Sequence, residues 1–528
     1  MPERLSSARA NVGLQPPTAS NQRGDHVAPP CRRRPTSRVD ELIERFEQTG
    51  LGVEQRLVTT AWCTQPHRRL DAGCDRQKAA STPTVMPSST ISTTRRVPSL
   101  RTTNPLSLDH RVATHPRRDR HRGLMLLRMF DVRLVSLLVL IVLCVAATIL
   151  VIWRRWELGL LPCLVLALVL RLVVAYLARP FTPTDVAVAF HAAGNQIALG
   201  KDPTLTLPNH EWNFLPFLPY LWSVLRLVPL PWVYAVKIPV IACDVINVWL
   251  VGLLASTHAG TKRLLYAISP VAVIVASLHG QIEPISLAFL LGGIVALRKE
   301  IDVVAGLLFG FAIATNNWPV LPVAAILLGL PRQRSYKIVP PAFVVLISFF
   351  LSSVIFLGSS PLKLAHAMAT YSSFAGTWGW TGTLFALGHK NFFGYSSPAV
   401  LPGDILIVIA VAFAILGFRR SSDLTRAWTA PMALLMVTPG FGAQYLLWPL
   451  PMAIASDAEI GLYTLAATGY FLPIYLGNTV IPGVLPFLAG LSWLVIAVMG
   501  YMLWRAFKRE DTARGVMRQA VDDTEAGR

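Results

Sequence analysis

From about residue 130 to residue 504 the chain is a succession of apolar segments separated by short polar turns. No other property of the sequence restricts the fold so tightly. The segments run at about 133–153, 158–178, 232–254, 264–278, 284–297, 303–315, 317–330, 338–357, 403–418, 427–437, 443–456, 460–477 and 484–504. Inside a bilayer no water satisfies backbone N–H and C=O groups, so such segments fold as internally bonded helices. Several are shorter than the roughly 20 residues a straight span requires. These are expected to be broken or tilted helices that shield one another. The predicted fold class is all-α: a polytopic membrane helical bundle of about 12–13 transmembrane segments, with outer-face loops and a disordered N-terminal extension.

Composition averages two unlike parts. Of 528 residues, 53% are hydrophobic and 15% charged, yet residues 1–124 are rich in Arg, Pro, Ser and Thr. Runs such as Cys31-Arg32-Arg33-Arg34-Pro35 bury too little apolar surface to offset chain entropy, which predicts disorder. Within this part only Val39–Phe46 reads as a short helix. The formal charge of +19 does not point to nucleic acid. The excess sits in the extension and in short loops, where positive-inside topology and anionic lipid account for it. Cys31, Cys63 and Cys74 are scattered, and Cys144, Cys163 and Cys243 lie singly in apolar segments, so neither a disulfide framework nor a metal site is expected. No apolar stretch follows Met1, and no signal peptide is expected.

The Lys and Arg pattern orients the bundle. Loops with Lys262-Arg263, Arg298-Lys299, Arg332/Arg334/Lys337 and Arg419-Arg420/Arg426, and the tail 505–528, are expected in the cytoplasm. The turns His279–Pro284, Asn316–Pro319, Thr438–Gln444 and Gly477–Pro482 carry no Lys or Arg and are expected outside, as are the loops 179–231 and 358–402. The stretch Trp212–Trp222 mixes Trp and Tyr with Pro and reads as an interfacial helix, not a span. The same counting places the basic extension outside, against its charge. Long segments can translocate despite charge. The other explanation is a physiological start at Met125 or Met129, with the extension over-called or dispensable. Residues 125–157 then form an additional N-terminal transmembrane segment ahead of a membrane domain at 158–504.

The polar break His279-Gly280-Gln281-Ile282-Glu283-Pro284 separates two apolar stretches. Irregular polar backbone at membrane depth occurs where it is buried in protein or lines a wet cavity, and ionisable groups there are functional candidates. His279, Gln281 and Glu283 suit phosphate or sugar hydroxyls; a helix-end cluster bonded to backbone is the plainer alternative. Asp185 follows the first outer turn and suits a general base. Asp202 and Glu211 compete in the same loop, and each of the three also reads as a solvated charge or helix cap. Asp244 and Asn247 lie one helical turn apart within a span, with Lys237 upstream, as site groups or interhelical contacts. Asn316-Asn317-Trp318-Pro319, the stretch Gly440–Tyr445 with Gln444, and Trp378-Gly379-Trp380 share the side of His279. Their aromatics suit stacking on sugar rings or an interfacial belt. There is no Walker loop, Rossmann fingerprint or nucleophile elbow. A nucleotide-sugar pocket is therefore unsupported, and any donor is expected from the lipid phase.

Taken in order, these pieces resemble the polytopic GT-C glycosyltransferases, and more narrowly the bacterial polyprenol-phosphate-sugar-dependent mannosyltransferases. The resemblance covers about 158–504. It rests on Asp185 followed by Gly200-Lys201-Asp202-Pro203, Phe214–Tyr220, Asp244, Ser269-Pro270 leading to His279-Gly280-Gln281, Trp318-Pro319, and Thr438–Trp448. It implies a GT-C-like bundle in the cell membrane, with an inverting, metal-independent transfer on the outer face. The sugar, mannose or another hexose or pentose, would pass from a polyprenyl-phosphate donor to a cell-envelope glycan, glycolipid or protein. Asp185 matches the base, and His279 and Gln281 match the turn bordering the lipid phosphate. Glu283, Asp202, Asn316, Asn317, Gln444 and Tyr445 complete the expected substrate-binding set. No cofactor is implied beyond the donor substrate, and the implied partners are membrane lipid, donor and acceptor. Two departures stand out: Glu283 where relatives often carry Asp, and Asn316-Asn317 where they often place a Lys, which leaves a cationic role unfilled. A lipid-linked saccharide flippase or transporter is an alternative, although no internal repeat of the transporter kind is evident. A non-catalytic membrane scaffold is another.

Overall fold

The computed structural model describes residues 132–207, 212–370, 373–395, 397–477 and 484–526, so the expectations for residues 1–124 and for Glu211 lie outside the described part. The main helices, in chain order, are α1 (Val132–Arg154), α2 (Leu160–Leu177), α3 (Lys237–Leu254), α4 (Ala259–Ile268), α5 (Glu283–Arg298), α6 (Asp302–Thr315), α7 (Val320–Leu328), α8 (Arg332–Phe356), α9 (Val400–Gly417), α10 (Asp423–Val437), α11 (Gly461–Leu472) and α12 (Val484–Ala526). Among the described residues the only strand-like pairings are isolated bridges from Ala375 to Gly394 and to Gly440.

Six helices are long and apolar enough to cross a membrane: α1, α2, α3 with its lead-in from Trp232, α8, α9 and the part of α12 at Phe487–Thr512. Ala259–Ile268 and Pro270–His279 add a seventh if the pair, bent by 45°, is one broken span. The bend has a covalent cause, since Pro270 brings no N–H and its ring crowds the preceding turn. By length, then, the number of clear spans falls short of the 12–13 expected. Helices α5, α6, α7, α10 and α11 hold 16, 14, 9, 15 and 12 residues. At 1.5 Å per residue they reach roughly 14–24 Å, against a hydrocarbon core of about 30 Å. The apolar segment at 443–456 is broken as well, into Ala443–Leu447 and Leu450–Ala455 beside Pro449 and Pro451. Burial explains how such pieces persist. Pro270–His279 and the first turn of α5 are buried, whereas the apolar windows of α8 and α9 are only 22% and 17% buried. Helices α8 and α9 face outward, the long α3 is 56% buried, and the broken Pro270–His279 piece sits inside.

The basic loops gather at one end of the bundle. Lys262 Nζ meets Asp457 at 2.7 Å, Arg298 meets Asp423 at 2.7 Å, and Arg334 meets Asp302 at 2.6 Å. The Thr261 hydroxyl donates to the Arg155 carbonyl in the adjoining loop. The polar turns around Asp185 and His279 meet at the opposite end, in keeping with the alternation of charged and uncharged loops along the chain. The expected interfacial helix is a short one, Phe217–Leu225, and it is more deeply seated than a surface helix: Trp222 is fully buried and stacked on Phe190.

Between the two ends lies a buried polar strut. Arg171 Nε of α2 donates to Asp244 Oδ2 of α3 at 2.5 Å, and Tyr266 of α4 donates to Asp244 Oδ1 at 2.6 Å. Arg171 and Asp244 are both 0% exposed. Arg171 Nη1 also donates to the Ala267 carbonyl at 2.7 Å. That carbonyl belongs to the last turn of α4, where continuing helical N–H donors run out. Asn247, one turn beyond Asp244, donates to the Pro284 carbonyl at 3.0 Å. Asp244 and Asn247 are thus interhelical contacts that hold the bent α4 pair and the start of α5.

Candidate functional site

Three turns among the described residues are π-helical: Asp185–Ala189, Ile274–His279 and Pro473–Gly477. They are far apart in sequence and they converge in space. A π turn carries one residue more than an α turn and recurs at functional sites. Each has a proline close by. Pro183 precedes the first by two residues, Pro270 precedes the second by four, and Pro473 opens the third. The start of the α3 span braces two of these turns. Trp232 Nε1 donates to the Val186 carbonyl at 3.0 Å, and Lys237 Nζ donates to the carbonyls of Ser277 at 2.8 Å and Leu278 at 3.0 Å.

One residue from each π turn enters a single hydrogen-bonded chain. His279 Nε2 lies 3.0 Å from Asp185 Oδ2 and 3.2 Å from Oδ1. His279 Nδ1 meets the Tyr475 hydroxyl, with the two rings edge to face. Gln281 Nε2 donates to Asp185 Oδ2 and sits 2.9 Å from His279 Nε2. Its amide is oriented by the Ile282 N–H, which reaches Gln281 Oε1 at 3.4 Å. The Val186 N–H donates to Asp185 Oδ1 at 2.8 Å. The Asp185 side chain is 41% exposed while that of His279 is 6% exposed. The carboxylate is therefore open on one side and held from the other. Surrounding protein disfavours charge on it, but the His279 ring, by charge when protonated and by hydrogen bonding, and the Val186 N–H outweigh this. The Asp185 carboxyl consequently lies below its ordinary value and is ionised at neutral pH.

Lys237 belongs to this cluster, although by position it groups with Asp244. Its ammonium has a third partner in Thr182 Oγ1 at 3.3 Å. Three donors meet three acceptors, so its ammonium form is committed to protein groups and has no free donor. Gly280 makes the close approach feasible. Its φ is +84°, and a Cβ there would stand 2.9 Å from Lys237 Cγ and Cε. Gly280→Ala is expected to cost about 1–3 kcal/mol from backbone strain and crowding combined. Thermal unfolding of the purified variant in detergent would measure it, and an unchanged midpoint would contradict the tight packing.

The remaining candidates are dispersed around this chain. Glu283 is buried, its Oε2 lacks a hydrogen-bond partner, and it lies within the field of Asp185 with the Trp448 indole beside it. Trp448 stacks on Trp318 at 4.8 Å and on Tyr445 at 4.2 Å. Asn316 is buried and Asn317 half-buried in the turn leading to Trp318; neither is bonded to Asp185, His279 or Gln281. The Tyr445 hydroxyl meets Ser373 at 3.2 Å, and Gln444 folds over Gly442. Asp202 is placed elsewhere. Its Oδ1 accepts from the Thr204 N–H at 2.9 Å and its Oδ2 from Ser359 at 2.7 Å, so it caps Pro203–Thr206 and clamps the first loop to the segment after α8. Each oxygen of this buried carboxylate accepts a hydrogen bond from a protein group, which gives Asp202 a structural role. Tyr475 escaped the sequence reading because it lies 196 residues from its histidine. The local signal was a Tyr two residues after a Pro at the end of an apolar segment.

No family model, curated protein or solved structure matches this chain. The fold and site together define a helical protein with six or seven helices capable of crossing a membrane and a braced carboxylate–imidazole–phenol cluster at one end of the bundle.

Proposed function

We propose that this protein is an integral membrane glycosyltransferase of the GT-C kind, moving a sugar from a polyprenyl-phosphate donor to a cell-envelope acceptor on the extracytoplasmic face. In this reading the short buried helices complete a bundle of 12–13 segments, shielded by the long ones. The observation that carries the proposal is Asp185: an ionised, half-open carboxylate fixed by two donors from a polar turn between apolar helices. The helix lengths add a setting. Helices α5 and α6 start or end at the basic loops and reach only roughly 21–24 Å toward the other end, whereas α8 reaches roughly 37 Å. In this reading the turn bearing His279 sits below the ends of the longer helices, where lipid-borne and water-borne reactants would meet.

In the reaction Asp185 takes the proton of the acceptor hydroxyl as its oxygen attacks the anomeric carbon. The bond from that carbon to the phosphate oxygen breaks, and polyprenyl phosphate leaves with the electron pair, inverting the centre. His279 and Gln281 hold Asp185 in place. The unfilled cationic role at Asn316-Asn317 is not taken over by a free Lys237 donor, so in this reading the leaving phosphate is met by neutral hydrogen-bond donors.

The test uses the full chain in vesicles with polyprenyl-phosphate mannose and a lipid extract as acceptor. The expected result is a new glycoside with release of polyprenyl phosphate. Movement of intact donor across the bilayer with no glycosidic bond formed would reject the transferase in favour of a transporter.

A further inference from the structure

The chain of bonds through His279 raises the question of which ring nitrogen carries the proton. On one side Nε2 faces the Asp185 carboxylate, an acceptor only, and the Gln281 amide nitrogen, a donor only. The two neighbours make opposite demands, and the charge-assisted bond to the Asp185 carboxylate outweighs the contact with the neutral amide, which places the proton on Nε2. A neutral imidazole has one N–H, so Nδ1 must then accept. The group facing Nδ1 is the Tyr475 hydroxyl, which is able to donate. Charged and titratable groups of both signs are packed around the ring. Lys237, from the start of α3, brings its ammonium to the carbonyls of Ser277 and Leu278 in the same π turn as His279. The negative side is supplied by Asp185 on the first π turn, with Glu283 at the start of α5 and Tyr470 near the end of α11 as the other titratable groups of the cluster.

We propose that Tyr475 is a positioning residue that donates its hydroxyl proton to His279 Nδ1, fixes the ring as the neutral Nε2–H tautomer, and so preserves the basicity of Asp185. A neutral ring gives Asp185 a hydrogen bond without the full charge of an imidazolium. The carboxylate stays oriented and keeps more affinity for the acceptor proton. The π turn at Pro473–Gly477 is what brings the phenol into line, and its association with the other two π turns marks it as part of the same device.

The effect on catalysis rests on the glycosyltransferase reading, whereas the tautomer does not, and the experiment separates them. The full chain is labelled with ¹⁵N-histidine and the His279 signals are identified by their loss in His279→Asn. At neutral pH the expected wild-type pattern is a protonated Nε2 and an unprotonated Nδ1. In Tyr475→Phe, which keeps the ring volume, a measurable fraction of protonated Nδ1 appears at the same pH. In the transfer assay kcat/KM at neutral pH falls by roughly three- to tenfold, the worth of one hydrogen bond. A wild-type ring protonated on Nδ1, or a Tyr475→Phe spectrum identical to wild type, overturns the proposal. The expected spectra in a protein that transfers no sugar would leave Tyr475 as the tautomer-setting group and remove the transferase.

Discussion

Asp185→Asn is expected to lower sugar transfer by about 10²–10⁴-fold while the protein still inserts and folds. The amide has the size of the carboxylate and its oxygen can still accept from the Val186 N–H. It cannot take a proton from the acceptor. It also places an N–H₂ among donors, since His279 Nε2–H and Gln281 Nε2 already point at this position. The variant is therefore inactive for two reasons that act together, loss of the base and disorder of its holders. The pH dependence has a defined sign. Because the Asp185 carboxyl lies below its ordinary value, the base is ready through the neutral range, and rate is lost only as pH falls toward that depressed value. Asp202→Asn is the natural control, because Asp202 clamps two loops and touches none of the reacting cluster. Initial rates from a polyprenyl-phosphate sugar decide the matter, and full activity in Asp185→Asn would reject it as base.

The second large effect concerns stability. Asp244→Ala is expected to destabilise the bundle by about 3–5 kcal/mol, because it leaves the Arg171 guanidinium buried without a counter-charge. It also strips the Tyr266 hydroxyl of its acceptor. Replacing both partners, as in Arg171→Leu with Asp244→Leu, should recover most of that loss, since an apolar pair has no charge to strand. The Ala267 carbonyl would still lose its Arg171 donor, so recovery is incomplete. Unfolding in detergent, arranged as a double-mutant cycle, measures this. A cost under about 1 kcal/mol for Asp244→Ala would show that the strut is ornamental.

Much of this organisation is legible in residue order. Apolar runs between polar turns specify a helical bundle, and the Lys and Arg distribution sorts its loops to two ends. The His279–Pro284 break is visible because polar residues interrupt an apolar run. Helix length is less visible, because hydropathy marks which residues avoid water without marking whether lipid or protein covers them. The region 443–456 is apolar enough for a span, yet Pro449 and Pro451 break it within the protein interior. Single polar residues are the hardest to place. Asp202 and Asp185 look alike in one loop, and only the Ser359 contact from 157 residues away makes one a clamp. Lys237 and Asp244 share a helix, yet one serves the polar turn and the other the strut.

The three π turns carry a historical consequence. A π turn differs from an α turn by an inserted residue, and in a helix one residue corresponds to about 100° of rotation. Removing a single residue from any of the three would restore a regular helix and swing its site residue about a quarter turn away from the others. The apolar character of that helix would hardly change. Substitution can tune such a cluster, but the changes able to assemble or dismantle it are insertions and deletions. A chain descended from the same ancestor could thus keep every apolar segment and lose the site through one missing codon.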